Sequence, residues 1–217
     1  MTGLANAETR DYDLSSFEKL DVSAGIEVDF QVGSGQSIAV SNDNGKFDDI
    51  IVQVRGDTLV LKRPNRNWAV WNKRERYRVS VTAPRLTSIE ASSGAEVTAR
   101  GLTGDQARIS ASSGAEVEVT EISAGTIRLA SSSGAELDAS GTCGHVSADS
   151  SSGAEISARQ LICQTGDADV SSGAEIDIHA SDQVTADASS GGGINVYGGP
   201  SETDIDKSSG GSVRIHS

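Results

Sequence analysis

The chain has 217 residues, with 18 Lys and Arg against 31 Asp and Glu and a formal net charge of −13. No stretch approaches the roughly 18 continuous apolar residues of a membrane-spanning helix. Residues 1–90 carry 12 basic against 13 acidic side chains and residues 91–217 carry 6 against 18, so the acidity belongs to the second part and excludes nucleic acid as its partner.

In chain order, Ala5-Asn6-Ala7 has the small-x-small form of a signal-peptidase site. It is either the remnant of an exported precursor or a chance alanine-rich start. Residues 1–14 are expected to be poorly ordered. Residues 15–90 read as strands continuous with those of the second part: Gly25 to Val32 alternates apolar and polar residues, and further candidates lie at Ile38–Ser41, Ile50–Val54, Thr58–Lys62 and Tyr77–Thr82. Ser23-Ala24-Gly25-Ile26-Glu27 resembles the turn that dominates the second part. No strong helix signal appears.

A long loop from Arg63 to Arg78 breaks this pattern. It holds both Trp of the chain, Trp68 and Trp71, and a run of basic residues that includes Arg66, Arg74 and Arg76. Trp and Arg at an exposed edge are what a glycan or a protein partner stacks and hydrogen-bonds against. The alternative is a structural cap on one end of the fold, with the cations offsetting the acidic part.

From residue 91 the chain repeats. Ser92-Ser93-Gly94-Ala95-Glu96 returns with its first Ser at 112, 132, 151 and 171, and degenerate copies begin at Ser189 and Ser208. The steps of 20, 20, 19, 20, 18 and 19 residues are near constant, the signature of stacked structural units. Each copy has alternating residues on both sides, so two short strands flank a tight turn that uses Gly for its positive φ. A return loop completes the coil, and one such coil cannot bury its apolar side alone. Stacking places like over like at about 4.8 Å, and the expected fold of residues 91–217 is a parallel β-solenoid of two flattened sheets, right-handed like other parallel crossovers.

That register puts Glu96, Glu116, Glu136, Glu155 and Glu175 in one outward column. Beside them runs a second polar row, including Glu118, Asp138 and Asp177, and on the sheet before the turn a third, with Glu90, Asp149, Asp169, Asp187 and Asp206. Adjacent carboxylates at about 4.8 Å repel by about 1 kcal/mol in water. The column therefore either stays solvated, takes up protons more readily, or holds a hard cation such as Ca²⁺. The nonapeptide pattern of calcium-binding β-rolls is absent.

Cys143 and Cys163 each lie eight residues before a Ser-Ser-Gly. They occupy equivalent sites in adjacent coils and are either a disulfide or a pair of stacked thiols. His145, His179 and His216 are the only histidines; His179 and His216 share the eighth position after the turn, and no nucleophile elbow frames any of them.

The Gly-rich turns at fixed spacing, Gly193-Ile194-Asn195, the opening Phe17-Glu18-Lys19-Leu20-Asp21-Val22-Ser23-Ala24-Gly25-Ile26-Glu27-Val28, Gly56 to Leu61 and Val79 to Ile89 resemble the family called putative auto-transporter adhesin, head GIN domain. The resemblance covers residues 16–216. It implies a two-sheet β-helix, export to the periplasm or cell surface of a Gram-negative bacterium, and a role in adhesion. Taken together, the chain is expected to be a non-enzymatic binding or scaffold module with no cofactor, open to homo-oligomers through its unpaired ends. The rival expectations are a carbohydrate-active enzyme of pectin-lyase-like fold and a calcium-stabilised structural protein.

Overall fold

The computed structural model describes residues 8–64 and 75–216. Among the described residues, seventeen strands are joined in one continuous hydrogen-bonded network without a helix. From β8 (Ser88–Ser92) and β9 (Glu96–Arg100) onward, successive coils stack in parallel register: β10 (Thr103–Ser112), β11 (Glu116–Ser132), β12 (Glu136–Ser151), β13 (Glu155–Val170), β14 (Glu175–Ala188), then β15 (Gly193–Tyr197), β16 (Glu202–Lys207) and β17 (Ser212–Ile215). The fold is a parallel β-solenoid.

Each Ser-Ser-Gly-Ala is a tight turn. In the second copy of the series, Ser113 has φ 54° and Gly114 φ 69°, and Ala115 N donates to Ser112 O at 3.2 Å. Two consecutive residues of positive φ closed by that bond make a type I′ turn, whose twist suits the flanking strands. The turns also bond to one another. Gly94 N donates to Ser113 O, Gly114 N to Ser133 O, Gly134 N to Ser152 O and Gly153 N to Ser172 O, all within 3.1–3.2 Å. The repeated pentapeptide thus stacks into a polar column at the corner, its main-chain donors and acceptors paired from coil to coil.

Inside, the fifth position after the first Ser forms an aliphatic column of Val97, Val117, Leu137, Ile156, Ile176 and Ile194, every member at most 1% exposed. The third position before the Ser gives Ile89, Ile109, Leu129, Ala148, Ala168 and Ala186, all at most 2% exposed. The second column is large in the first three of these coils and narrows to Ala in the last three.

The return between coils departs from the expected loop, because pairing runs on through it, with Ser123 opposite Thr142 and Ala124 opposite Cys143. Changes of period are absorbed there. Val119 faces Ala139, 20 residues on, whereas Ile122 faces Gly141, 19 on. The turn and its flanking strands keep strict register because they carry the core; the return has less to lose.

The first part joins the solenoid out of sequence order. β2 (Lys19–Ser23) and β3 (Glu27–Val32) form a coil under β8 and β9, and β6 (Thr58–Lys62) and β7 (Arg78–Ala83) form another beneath it. Three antiparallel strands then close this end: β4 (Ser37–Asn42) on β7, β1 (Glu8–Asp11) on β4, and β5 (Ile51–Arg55) on β6. Residues 8–14 depart from the expectation of poor order, since β1 is held by β4 through the backbone although its side chains are exposed. Antiparallel strands at a sheet edge obstruct continued parallel stacking.

Val22 pairs with Leu61 and Glu27 with Arg78. The connection from Leu61 to Arg78 is therefore sixteen residues long, 62–77, where the next coil uses four, 23–26. Arg63 braces its base. Its Nε donates to Ala24 O at 2.9 Å, supplying the donor that a turn N–H provides elsewhere. Its guanidinium also pairs with Asp49, donates to Glu75 O and lies 5.2 Å over the Tyr77 ring.

Candidate functional site

The expected glutamate column is present in register and begins one coil earlier than the repeat. Glu27 pairs with Glu96, Glu96 with Glu116, and the series continues through Glu136, Glu155 and Glu175. Its ends are quenched: Arg78 pairs with Glu27 at 2.9 Å, and Asn195 Nδ2 donates to Glu175 and Asp177 at 3.1 and 2.7 Å. In the middle, partial burial and then Glu136 and Glu175 on either side push the Glu155 carboxyl above the usual range. Among the described residues no group of three or more His, Cys, Asp or Glu is arranged to hold a metal ion; the glutamates stand one above another instead of converging.

This has a sign that can be measured. A carboxyl that ionises later in the folded chain than in the unfolded one weakens the fold where it is charged. Stability is therefore expected to rise as pH falls from 7 through the raised range of Glu155, opposite to an ion-paired carboxylate. Glu155→Gln is expected to add about 0.5–1 kcal/mol at pH 7, after allowance for solvent screening, and to flatten that rise. Urea midpoints at pH 5 and 7 test it, and a less stable variant at pH 7 would refute it.

On the other side of the turn the sheet before it bends into a shallow trough of ≈ 650 Å³. It crosses six coils along the solenoid axis and is lined by the row of Asp149, Asp169, Asp187 and Asp206 and by the first Ser of each turn, such as Ser151 and Ser171. The corner beneath is braced from inside, where buried Ser131 and Ser150 donate to Ala135 O and Ala154 O at 3.0 and 3.2 Å. Partial burial, then Asp187 and Asp149, raise the Asp169 carboxyl, while Arg128 holds Asp149 at 2.6 Å. Reading along the sequence finds this acidic row but not its concavity, which comes from the bend of stacked strands.

Of the residues expected in the loop site, Trp68, Trp71, Arg66 and Arg74 lie outside the described residues. Arg76 is exposed at the loop's base. Cys143 and Cys163 are joined as a disulfide between paired positions of β12 and β13, with Cα atoms 4.6 Å apart. His145 Nδ1 lies 2.8 Å from Thr165 Oγ1 and its Nε2 3.4 Å from Asp167. Threonine, histidine and carboxylate thus line up, but on two flat neighbouring strands whose N–H groups serve the ladder. The contacts tie one coil to the next.

The chain belongs to the putative auto-transporter adhesin, head GIN domain family, whose model matches residues 16–200. No curated protein matches it. Among solved structures it is similar to a putative adhesin from Bacteroides fragilis NCTC 9343, at 20% identity over 97% of each chain with a TM-score of 0.87. It is also similar to a putative adhesin from Parabacteroides merdae ATCC 43184, at 14% identity over 99% of this chain and 98% of that one with a TM-score of 0.76. A putative lipid binding protein from Parabacteroides distasonis ATCC 8503 matches at 16% identity, 99% and 98% coverage and a TM-score of 0.74. At these identities the likeness is one of fold.

Proposed function

We propose that the chain is a non-enzymatic, exported adhesin-type module at the surface of a Gram-negative bacterium, and that it holds an extended glycan strand along the trough. The observation that carries this is the trough's direction. It follows the stacking axis and repeats a hydroxyl in each of its six coils and a carboxylate in four successive ones, so a ligand that satisfies them is linear and periodic itself. The acidic lining favours a neutral or amino-bearing sugar over an anionic one. Family membership and adhesin-named structural neighbours support the surface role, and the Cys143–Cys163 disulfide fits an oxidising compartment.

A glycan array followed by calorimetry tests the trough. Asp169→Asn with Asp187→Asn is expected to weaken binding of a retained glycan by about tenfold or more, the worth of charge-assisted hydrogen bonds, without lowering the melting temperature. Unchanged affinity, or no glycan retained at all, refutes the proposal. One observation favours a second reading: Asp149, Asp169 and Asp187 stand in adjacent coils along the trough, partial burial and its two neighbours raise the Asp169 carboxyl, and glycoside hydrolysis works with paired carboxyl groups. Release of reducing ends that Asp169→Asn abolishes would replace binding by hydrolysis.

A further inference from the structure

The eighth residue after each first Ser makes a series of its own along the sequence, Arg100, Thr120, Ser140, Arg159, His179, Tyr197 and His216, although register shifts in the return set Ser140 opposite Gln160 and His179 opposite Ile162. Its C-terminal part breaks the acidic character of the repeats. His179 pairs with Tyr197 across β14 and β15, and His216 N donates to Val196 O at 2.8 Å, which seats His216 on the following coil. The Tyr197 and His216 rings stack at 4.6 Å with 12° between their planes, and the Arg159 guanidinium lies 4.3 Å from the Tyr197 centroid. With Gly198 these four side chains line a concavity of ≈ 560 Å³.

Two features mark it as built. Residues 91–217 contain six cations, and of these Arg100 and Arg128 are held by carboxylates. Arg159 has no ion pair among the described residues; an aromatic face orients it and leaves its donors open. Gly198 has φ 100°, and a Cβ there would lie 2.6 Å from Ala180 O and 2.7 Å from His179 Nε2, so only glycine lets the imidazole lie this close to the strand end.

We infer that Arg159, His179, Tyr197 and His216 form a second binding site, which takes an oxyanion carried on a sugar: a carboxylate or a sulfate. Arg159 and His179 supply the donors and Tyr197 positions the guanidinium. The site lies after the turn, apart from the trough before it, and the two select opposite ligand chemistry. Because the chain carries a net charge of −13, diffuse attraction works against any anion. Retention of one therefore reports local contacts.

The test is calorimetry at physiological salt with trigalacturonate, a sulfated heparin disaccharide and neutral maltotriose. The expected result is binding of the carboxylated or the sulfated probe and not of maltotriose, the tighter of the two naming the group. Arg159→Gln is expected to weaken it about tenfold or more, and Tyr197→Leu, which changes no charge, to weaken it severalfold. Arg108→Gln, on the sheet before the turn, removes the same charge and is expected to change little; circular dichroism melts confirm that each variant is folded. Failure of both anions to bind, an unaffected Arg159→Gln, or an equal loss in Arg108→Gln overturns the inference. The trough variants leave this binding intact, so the two sites stand or fall separately.

Discussion

Ile156→Ala is expected to destabilise the solenoid by about 3–4 kcal/mol, near the middle of the range for emptying a buried aliphatic site. Ile156 is wholly buried and stacks between Leu137 and Ile176 through the register of β12, β13 and β14. Its neighbours cannot move in to fill the space, because each is fixed by a backbone ladder on both sides. The damage also spreads, since a coil draws its stability from the coils it touches. Ser157→Ala, on the opposite face of the same strand, serves as control and is expected to stay within about 0.5 kcal/mol. Chemical denaturation of the two variants decides the matter, and a loss below about 1 kcal/mol at Ile156 would mean that the column does not hold the coils together.

The second large effect concerns the cross-coil bond. Cys143 and Cys163 are 20 residues apart in sequence, and closing a loop of that size restricts the unfolded chain by about 3 kcal/mol. Cys143→Ser with Cys163→Ser is therefore expected to lower stability by about that amount, and a reductant is expected to do the same to the unmodified chain. Hydrogen exchange adds a spatial readout: protection should fall most in β12 and β13 and least in the N-terminal cap. Equal urea midpoints with and without reductant would show that the pairing contributes nothing in solution.

The repeat half was legible because period, turn and alternation agree. Ser-Ser-Gly fixes the corner, Val117, Leu137 and Ile156 fix the inside, and together they leave one register for the glutamates. The N-terminal part was legible strand by strand but not in its order. That β6 and β7 lie beneath β2 and β3 depends on pairings some 40–50 residues apart, such as Leu20 with Leu59 and Val28 with Val79, for which no local signal exists. β1 gives no apolar alternation at all, since all four residues are exposed and are held by the backbone ladder on β4 and a hydroxyl contact between Thr9 and Ser41.

The sites divide the same way. The acidic rows were visible in the register, but the trough requires the curvature of the stacked strands. His179 and His216 were visible as sharing a position. Arg159 and Tyr197 occupy it too, and aligning every eighth position would have brought all four together. The loop's length against its neighbours became clear only through Val22 with Leu61 and Glu27 with Arg78, which set sixteen residues against the four of the next coil.

The covalent link between adjacent coils has a mechanical side that shows when the two ends of the chain are pulled apart. Tension on the C-terminal end would peel coils away one at a time, and each would surrender its full length. Between residues 143 and 163 the tether withholds that slack, so a length of roughly 65 Å of extended chain never pays out. A reducing environment would hand it back, making the molecule measurably longer under the same pull.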